Sequence, residues 1–123
     1  MTAIIILGVD PGLNKCGWGL VVSEGSRLSH LAHGVIKPSQ QQQLASRLHD
    51  VFEGLSEVIE KYQPNEVAVD ETFVNSNARA ALALGQARGV AMAAAARRGL
   101  LVAEYAPTTI KKAVVGSGAG TKV

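Results

Sequence analysis

Residues 4–12 read Ile-Ile-Ile-Leu-Gly-Val-Asp-Pro-Gly, and this stretch decides the fold. The near-continuous apolar run over 3–9 predicts a strand buried on both faces, as in the interior of an α/β sheet. Asp10 closes the run, and Pro11-Gly12 turns the chain. Downstream, Gly17–Ser23 carries Trp18, Leu20, Val21 and Val22 and predicts a second strand. Glu24-Gly25-Ser26 is a turn, and Leu28–Ile36 reads as a third strand of weaker, alternating character. Short turns join antiparallel neighbours, so these three strands form a meander.

A polar segment, 37–43, holds Pro38 and four Gln. Leu44, Leu48, Val51, Phe52, Leu55, Val58, Ile59 and Tyr62 then recur at helical spacing, the apolar stripe of a helix lying on a sheet. Pro64 ends it. Glu66–Val69 predicts a fourth strand that stops at Asp70-Glu71. Asn75-Ser76-Asn77 supplies N-cap candidates for a long Ala-rich helix over Ala78–Arg98. Gly85 and Gly89 on that helix allow close packing, against the sheet or against another helix in a dimer. Gly99 suits the C′ position. Leu100–Tyr105 is a fifth strand, Pro107–Val115 a short basic amphipathic helix, and Gly116–Val123 a glycine-rich tail. Strands that return through helices run parallel to the first. The expectation is a three-layer α/β domain with a mixed five-stranded sheet. It is one domain over 1–123, without repeat or linker.

Composition bounds the function. The chain has 123 residues, 47% of them apolar, with 12 Lys+Arg against 10 Asp+Glu. No apolar run reaches the ~18 residues that a membrane-spanning helix needs. Ile4–Leu7 is too short for a signal peptide and has no basic segment before it. A single cysteine, Cys16, excludes an internal disulfide and suits a reducing cytoplasm. One Trp, two Tyr and two Phe leave the core to aliphatic side chains. The charge is segregated: residues 1–71 hold five basic and nine acidic side chains, residues 72–123 seven basic and one acidic. Such asymmetry points to a face that meets a polyanion.

Asp10 and Asp70 each stand at the carboxyl end of a strand, where ligands of open α/β sheets collect. If the two strands are neighbours, their backbones lie about 4.8 Å apart. A hard cation such as Mg²⁺ relieves the repulsion of two carboxylates at that spacing. A pair of such ions about 3.5–4 Å apart would activate a water for phosphodiester hydrolysis. Asp70 and Glu71 are adjacent on one strand, so only one of them faces such a site.

Several blocks together resemble the RuvC family of bacterial Holliday junction resolvases. They are Gly8-Val9-Asp10-Pro11-Gly12 with Gly17-Trp18-Gly19, Val69-Asp70-Glu71-Thr72-Phe73, Leu84-Gly85-Gln86-Ala87-Arg88-Gly89, and Ile110-Lys111-Lys112-Ala113-Val114-Val115-Gly116. They occur in family order over nearly the whole chain, and the block on the Ala-rich helix is the most specific. The resemblance implies a ribonuclease-H-like fold. It implies a cytoplasmic, nucleoid-associated homodimer that cuts four-way DNA junctions with Mg²⁺ or Mn²⁺, beside a branch-migration helicase complex of RuvA and RuvB. It assigns the acidic ligands to Asp10 and Asp70, and DNA contacts to Phe73, Lys111 and Lys122. The family usually has Glu where this chain has Asp70. Its remaining catalytic carboxylates lie on a helix after the glycine-rich segment, yet no acid follows Glu104 here. The expectation is therefore a domain lacking that helix, with a non-catalytic junction-binding module as the alternative. An actin-like nucleotide-binding domain also shares the Asp-Pro-Gly turn, but it needs two such domains.

Other signals are discounted. Gly116–Lys122 lacks the adjacent Gly-Lys of a phosphate-binding loop and follows a helix rather than a strand. His30 and His33, three apart on a strand, are expected on opposite faces and so not as a chelating pair. His49 reads as decoration of a polar helix face, and Cys16 as a packed core side chain.

Overall fold

The computed structural model describes residues 3–70 and 77–105. The elements run β1 (Ile4–Asp10), β2 (Cys16–Glu24), β3 (Arg27–Ile36), α1 (Leu44–Tyr62), β4 (Glu66–Asp70), α2 (Ala78–Arg97) and β5 (Leu101–Tyr105). The sheet order is β3-β2-β1-β4-β5. β1 pairs antiparallel with β2, and β2 with β3, while β4 lies parallel to both β1 and β5. The meander and the parallel returns are as the sequence predicts.

Local chemistry sets the element ends. Gly25, at φ 63°, opens the two-residue turn between β2 and β3, a conformation that glycine adopts without strain. Asn77 caps α2, its Oδ1 accepting from the backbone N–H groups of Arg79 (2.9 Å) and Ala80 (3.1 Å). Past the end of α2, Gly99 at φ 70° lets the Leu100 N–H donate back to the Ala95 carbonyl at 3.2 Å. Helix α1 closes on Gln63 in the left-handed region, its N–H donating to the Ile59 carbonyl at 2.9 Å, one residue before Pro64.

Both helices pack on one face of the sheet. Leu7, Val9, Leu20, Val67 and Val69 form a core with Val51, Leu55 and Ile59 of α1 and Ala91, Ala94 and Ala95 of α2. The core is aliphatic, as five aromatics require; Trp18, Phe52 and Tyr62 sit half-buried at its margin. The fully buried residues of α2 are all alanines, with Val90 and Met92 packed at the core's margin, so the helix sits close to its neighbours. The opposite sheet face carries Gly8 and Asp10 on β1 and exposes Leu28, Val35 and Leu101. Among the described residues no helix lies on that face. The described residues form two layers of the expected three, and the helix expected over Pro107–Val115 lies outside them.

The third strand departs from simple alternation. Leu20 pairs with Ala32, but Val21 pairs with His30, so Leu31 is an extra residue in a β-bulge. The bulge shifts the side-chain parity of β3 by one. His33 pairs with Gly19 and His30 with Val21. Gly19 and Val21 are two apart on β2, so both histidines point to the same face, the one opposite the helices. The expectation of opposite faces is wrong, because a strict two-residue period cannot register an inserted residue.

Candidate active site

The register between β1 and β4 builds the site. Ile6, Leu7, Gly8 and Val9 pair one-to-one with Glu66, Val67, Ala68 and Val69. One further step sets Asp10 level with Asp70, the last residue of each strand. Val9 and Val69, buried under the helices, point one way, so the next residue on each strand points the other. The two carboxylates are thus side by side on the face opposite the helices, at the carboxyl ends of adjacent parallel strands.

Glycines keep space beside them. Gly17 is the β2 partner of Asp10, and a Cβ added there would stand 3.8 Å from the Asp10 Cβ. Gly8 pairs with Gly19 one pleat below. Asp70 is 3% exposed, the one charged residue among the buried groups described. Arg88 of α2, half-buried, donates from Nε to the Asp70 carbonyl oxygen at 3.2 Å and so ties the helix to the end of β4.

The loop after Asp10 is held from the other side. Arg47, in the first turn of α1, donates from Nη2 to the Leu13 carbonyl and to Asn14 Oδ1, both at 2.9 Å. Gly12 is required where it stands, because a side chain there would collide with the Lys15 carbonyl. Between this loop and the start of α2 lies an open cavity of about 360 Å³, lined in part by Gly12, Asn14, Lys15, Arg47, Ala80 and Leu84. Lys15 and Arg47 make it basic, and it is of a size for part of a phosphodiester backbone.

Sequence reasoning missed Arg47, Lys15 and the Asp70 contact of Arg88. Arg47 had a readable signal: a cation in the first turn of a helix opposes the helix dipole, so it needs another reason to be there. Arg88 lies in the most specific sequence block, yet its role depends on where α2 crosses β4, which no local pattern encodes. Phe73, Lys111, Lys122 and Glu71 lie outside the described residues.

Cys16 begins β2, fully buried on the helix side. Burial pushes its thiol from 9.0 up to about 12; a hydrogen bond with the Gly12 backbone opposes the rise and the nearby Asp10 charge adds to it. It is a packed core residue and no nucleophile, as the sequence suggests. His49 is exposed on α1, 3.4 Å from Glu53 one turn on.

Two carboxylates, with no third His, Cys, Asp or Glu grouped with them among the described residues, suit a hard, oxygen-preferring ion that takes its other ligands from water or substrate. Softer metals would want nitrogen or sulfur donors.

Similarity to known proteins runs along most of the chain. A family model described as "Crossover junction endodeoxyribonuclease RuvC" matches residues 6–123. The chain belongs to the RuvC family. It is 55% identical over 117 residues to the protein of that name from Caulobacter vibrioides, covering 95% of this chain and 69% of that one. To the RuvC of Caulobacter sp. strain K31 it is 56% identical over 119 residues, 97% of this chain and 70% of the relative. The structure of Thermus thermophilus RuvC in complex with Holliday junction substrate superposes with a TM-score of 0.80 at 31% identity, covering 97% of this chain and 73% of that one. The sheet described above is therefore the ribonuclease-H-like sheet of the RuvC resolvases.

Proposed function

We infer that this protein is a Holliday-junction-resolving endonuclease in which Asp10 and Asp70 hold Mg²⁺, or Mn²⁺ in its place. The single observation that carries the assignment of the site is the one-to-one β1–β4 register, which sets the two strand-end carboxylates level on one face. Bound there, the ion would supply charge neutralisation at the scissile phosphate and acidify a water. The chain's own residues do the rest. Gly17 leaves room beside Asp10, Arg88 fixes the end of β4, and Arg47 braces the loop that carries the chain away from Asp10. The endonuclease reading stands over a binding-only module, since similarity to RuvC endonucleases runs over almost the whole chain.

The finer parts of the reading are proposals. Phe73 would stack on unpaired bases at the crossover, and Lys111 and Lys122 would pair with phosphates. The protein would work as a cytoplasmic homodimer beside a branch-migration helicase. Support for the dimer comes from α2. Gly85 and Gly89 are exposed, and an added Cβ at either meets nothing described within 4 Å. They do not pack on the sheet, which leaves the dimer contact of the two alternatives. Gly89→Leu is expected to shift sedimentation at low micromolar concentration toward monomer; an unchanged dimer moves the interface elsewhere.

The test of the site is cleavage of a labelled four-way junction in Mg²⁺, with binding followed in Ca²⁺. Asp70→Asn is expected to bind the junction and to lose symmetric nicking by more than the roughly 10–100-fold that loss of a group hydrogen-bonded to a metal ligand costs. Glu71→Gln is expected to keep it. The reverse result would mean that the ligand register is off by one residue.

A further inference from the structure

We propose that His30 and His33 form a two-histidine site for a borderline divalent transition metal ion, of the Ni²⁺, Cu²⁺ or Zn²⁺ class, on the outer strand of the sheet. The inference is independent of the endonuclease reading and concerns a different pair of ligands.

The bulge at Leu31 makes the site. Without it, residues three apart on a strand face opposite ways; with it, His30 opposite Val21 and His33 opposite Gly19 share one face. Their rings lie 5.1 Å apart between centroids, and Nε2 of His30 is 3.0 Å from Nδ1 of His33. Two nitrogens bound to one ion at about 2.0–2.1 Å and near a right angle stand roughly 3 Å apart, so the rings already have the spacing of a chelate. In the unliganded pair one nitrogen donates a hydrogen and the other accepts it. Both offer lone pairs once His30 carries its proton on Nδ1 and His33 on Nε2, with no net release of protons. Both side chains are exposed, which gives an ion an entry path and leaves its remaining positions to water.

Ligand chemistry separates this site from the carboxylates. Imidazole favours nickel, copper and zinc, whereas oxygen-only donors favour magnesium. His33 stands across β2 from Gly8, two strands from β1 and one pleat below Asp10, so the two sites share a sheet face and no ligand. No third His, Cys, Asp or Glu joins the pair among the described residues, so the ion would sit on two protein ligands.

The experiment is calorimetric titration of Ni²⁺ into the untagged chain with excess Mg²⁺ present to occupy the oxygen donors. One Ni²⁺ per chain is expected, with a rise in Tm as it binds. His30→Ala and His33→Ala should each weaken binding by roughly 10-fold or more, on the scale of lost metal-site partners. His49→Ala, which removes an exposed imidazole elsewhere, should leave it unchanged. Deletion of Leu31 keeps both imidazoles but restores plain alternation, and it should abolish the site while circular dichroism shows the sheet intact. Absence of saturable binding, or binding insensitive to either histidine, or dependence on only one of them, overturns the proposal.

Discussion

The inner strands β1 and β4 and the outer hairpin of β2 and β3 belong to one sheet, yet they hold register by different means. In the inner pair, Leu7, Val9, Val67 and Val69 are all within 1% of full burial beneath the helices. A slip of one residue in β4 would turn its valines out and drive Glu66 and Asp70 into the core, so no slip is tolerated. In the hairpin, one face of β3 is covered only in part and the other is open, with Leu28 63% exposed and Val35 52%. An inserted residue such as Leu31 there loses only its own pairing. Positions that must be accurate to carry chemistry are placed where burial enforces the register. An irregular register is tolerated at the edge.

Breaking the inner register's support should have the largest effect. Leu7→Ala removes a fully buried side chain. It is expected to cost about 2–5 kcal/mol by denaturant unfolding, whereas Leu28→Ala on the hairpin should stay within about 0.5 kcal/mol. Equal losses would mean that the hairpin is covered in solution.

The next test is alkaline pH. The Cys16 thiol rises to about 12 in the folded chain from an ordinary 9.0, so the folded state keeps a proton that the unfolded chain has released between those values. Stability from this group is complete below pH 9 and should fall by about 1.4 kcal/mol per pH unit above it. Cys16→Ala should flatten that slope in unfolding curves taken from pH 8.5 to 10.5. A slope shared by both proteins would assign it to other groups.

A smaller effect sharpens the comparison from the hairpin side. A Cβ at Gly34 would come within 2.6 Å of the Trp18 ring, which also packs 6.2 Å from Tyr62 and has little freedom to retreat. Gly34→Ala should therefore cost about 1–3 kcal/mol, although it lies on the outer strand. No loss of Tm would show that the ring moves freely.

Much of this was legible from residues alone. The limits of α1 follow from its apolar stripe and Pro64, and the cap of α2 from Asn77. Asp10 and Asp70 were readable as a pair because both end apolar strands, although only pairing geometry shows that they are level. The bulge was not legible. Leu28, Leu31 and Val35 look like ordinary alternation with a slip, and nothing local says that the chain absorbs the slip within the strand. Arg47 and Arg88 were missed for a related reason: each acts across elements far apart in sequence, on the loop at Leu13 and on the end of β4.

Leu31 also divides the hairpin into two reading frames. From Ala32 to Ile36 the pattern is locked to β2 and, through it, to the glycines beside Asp10. From Arg27 to His30 the pattern is free to be re-phased by gain or loss of a single residue near the turn. Insertions and deletions between the bulge and Gly25 can therefore redraw the outer surface of this enzyme, one imidazole or apolar group at a time, while the frame that sets the carboxylates never changes. What the edge of the sheet touches can thus change while β1 and β4 keep their pairing.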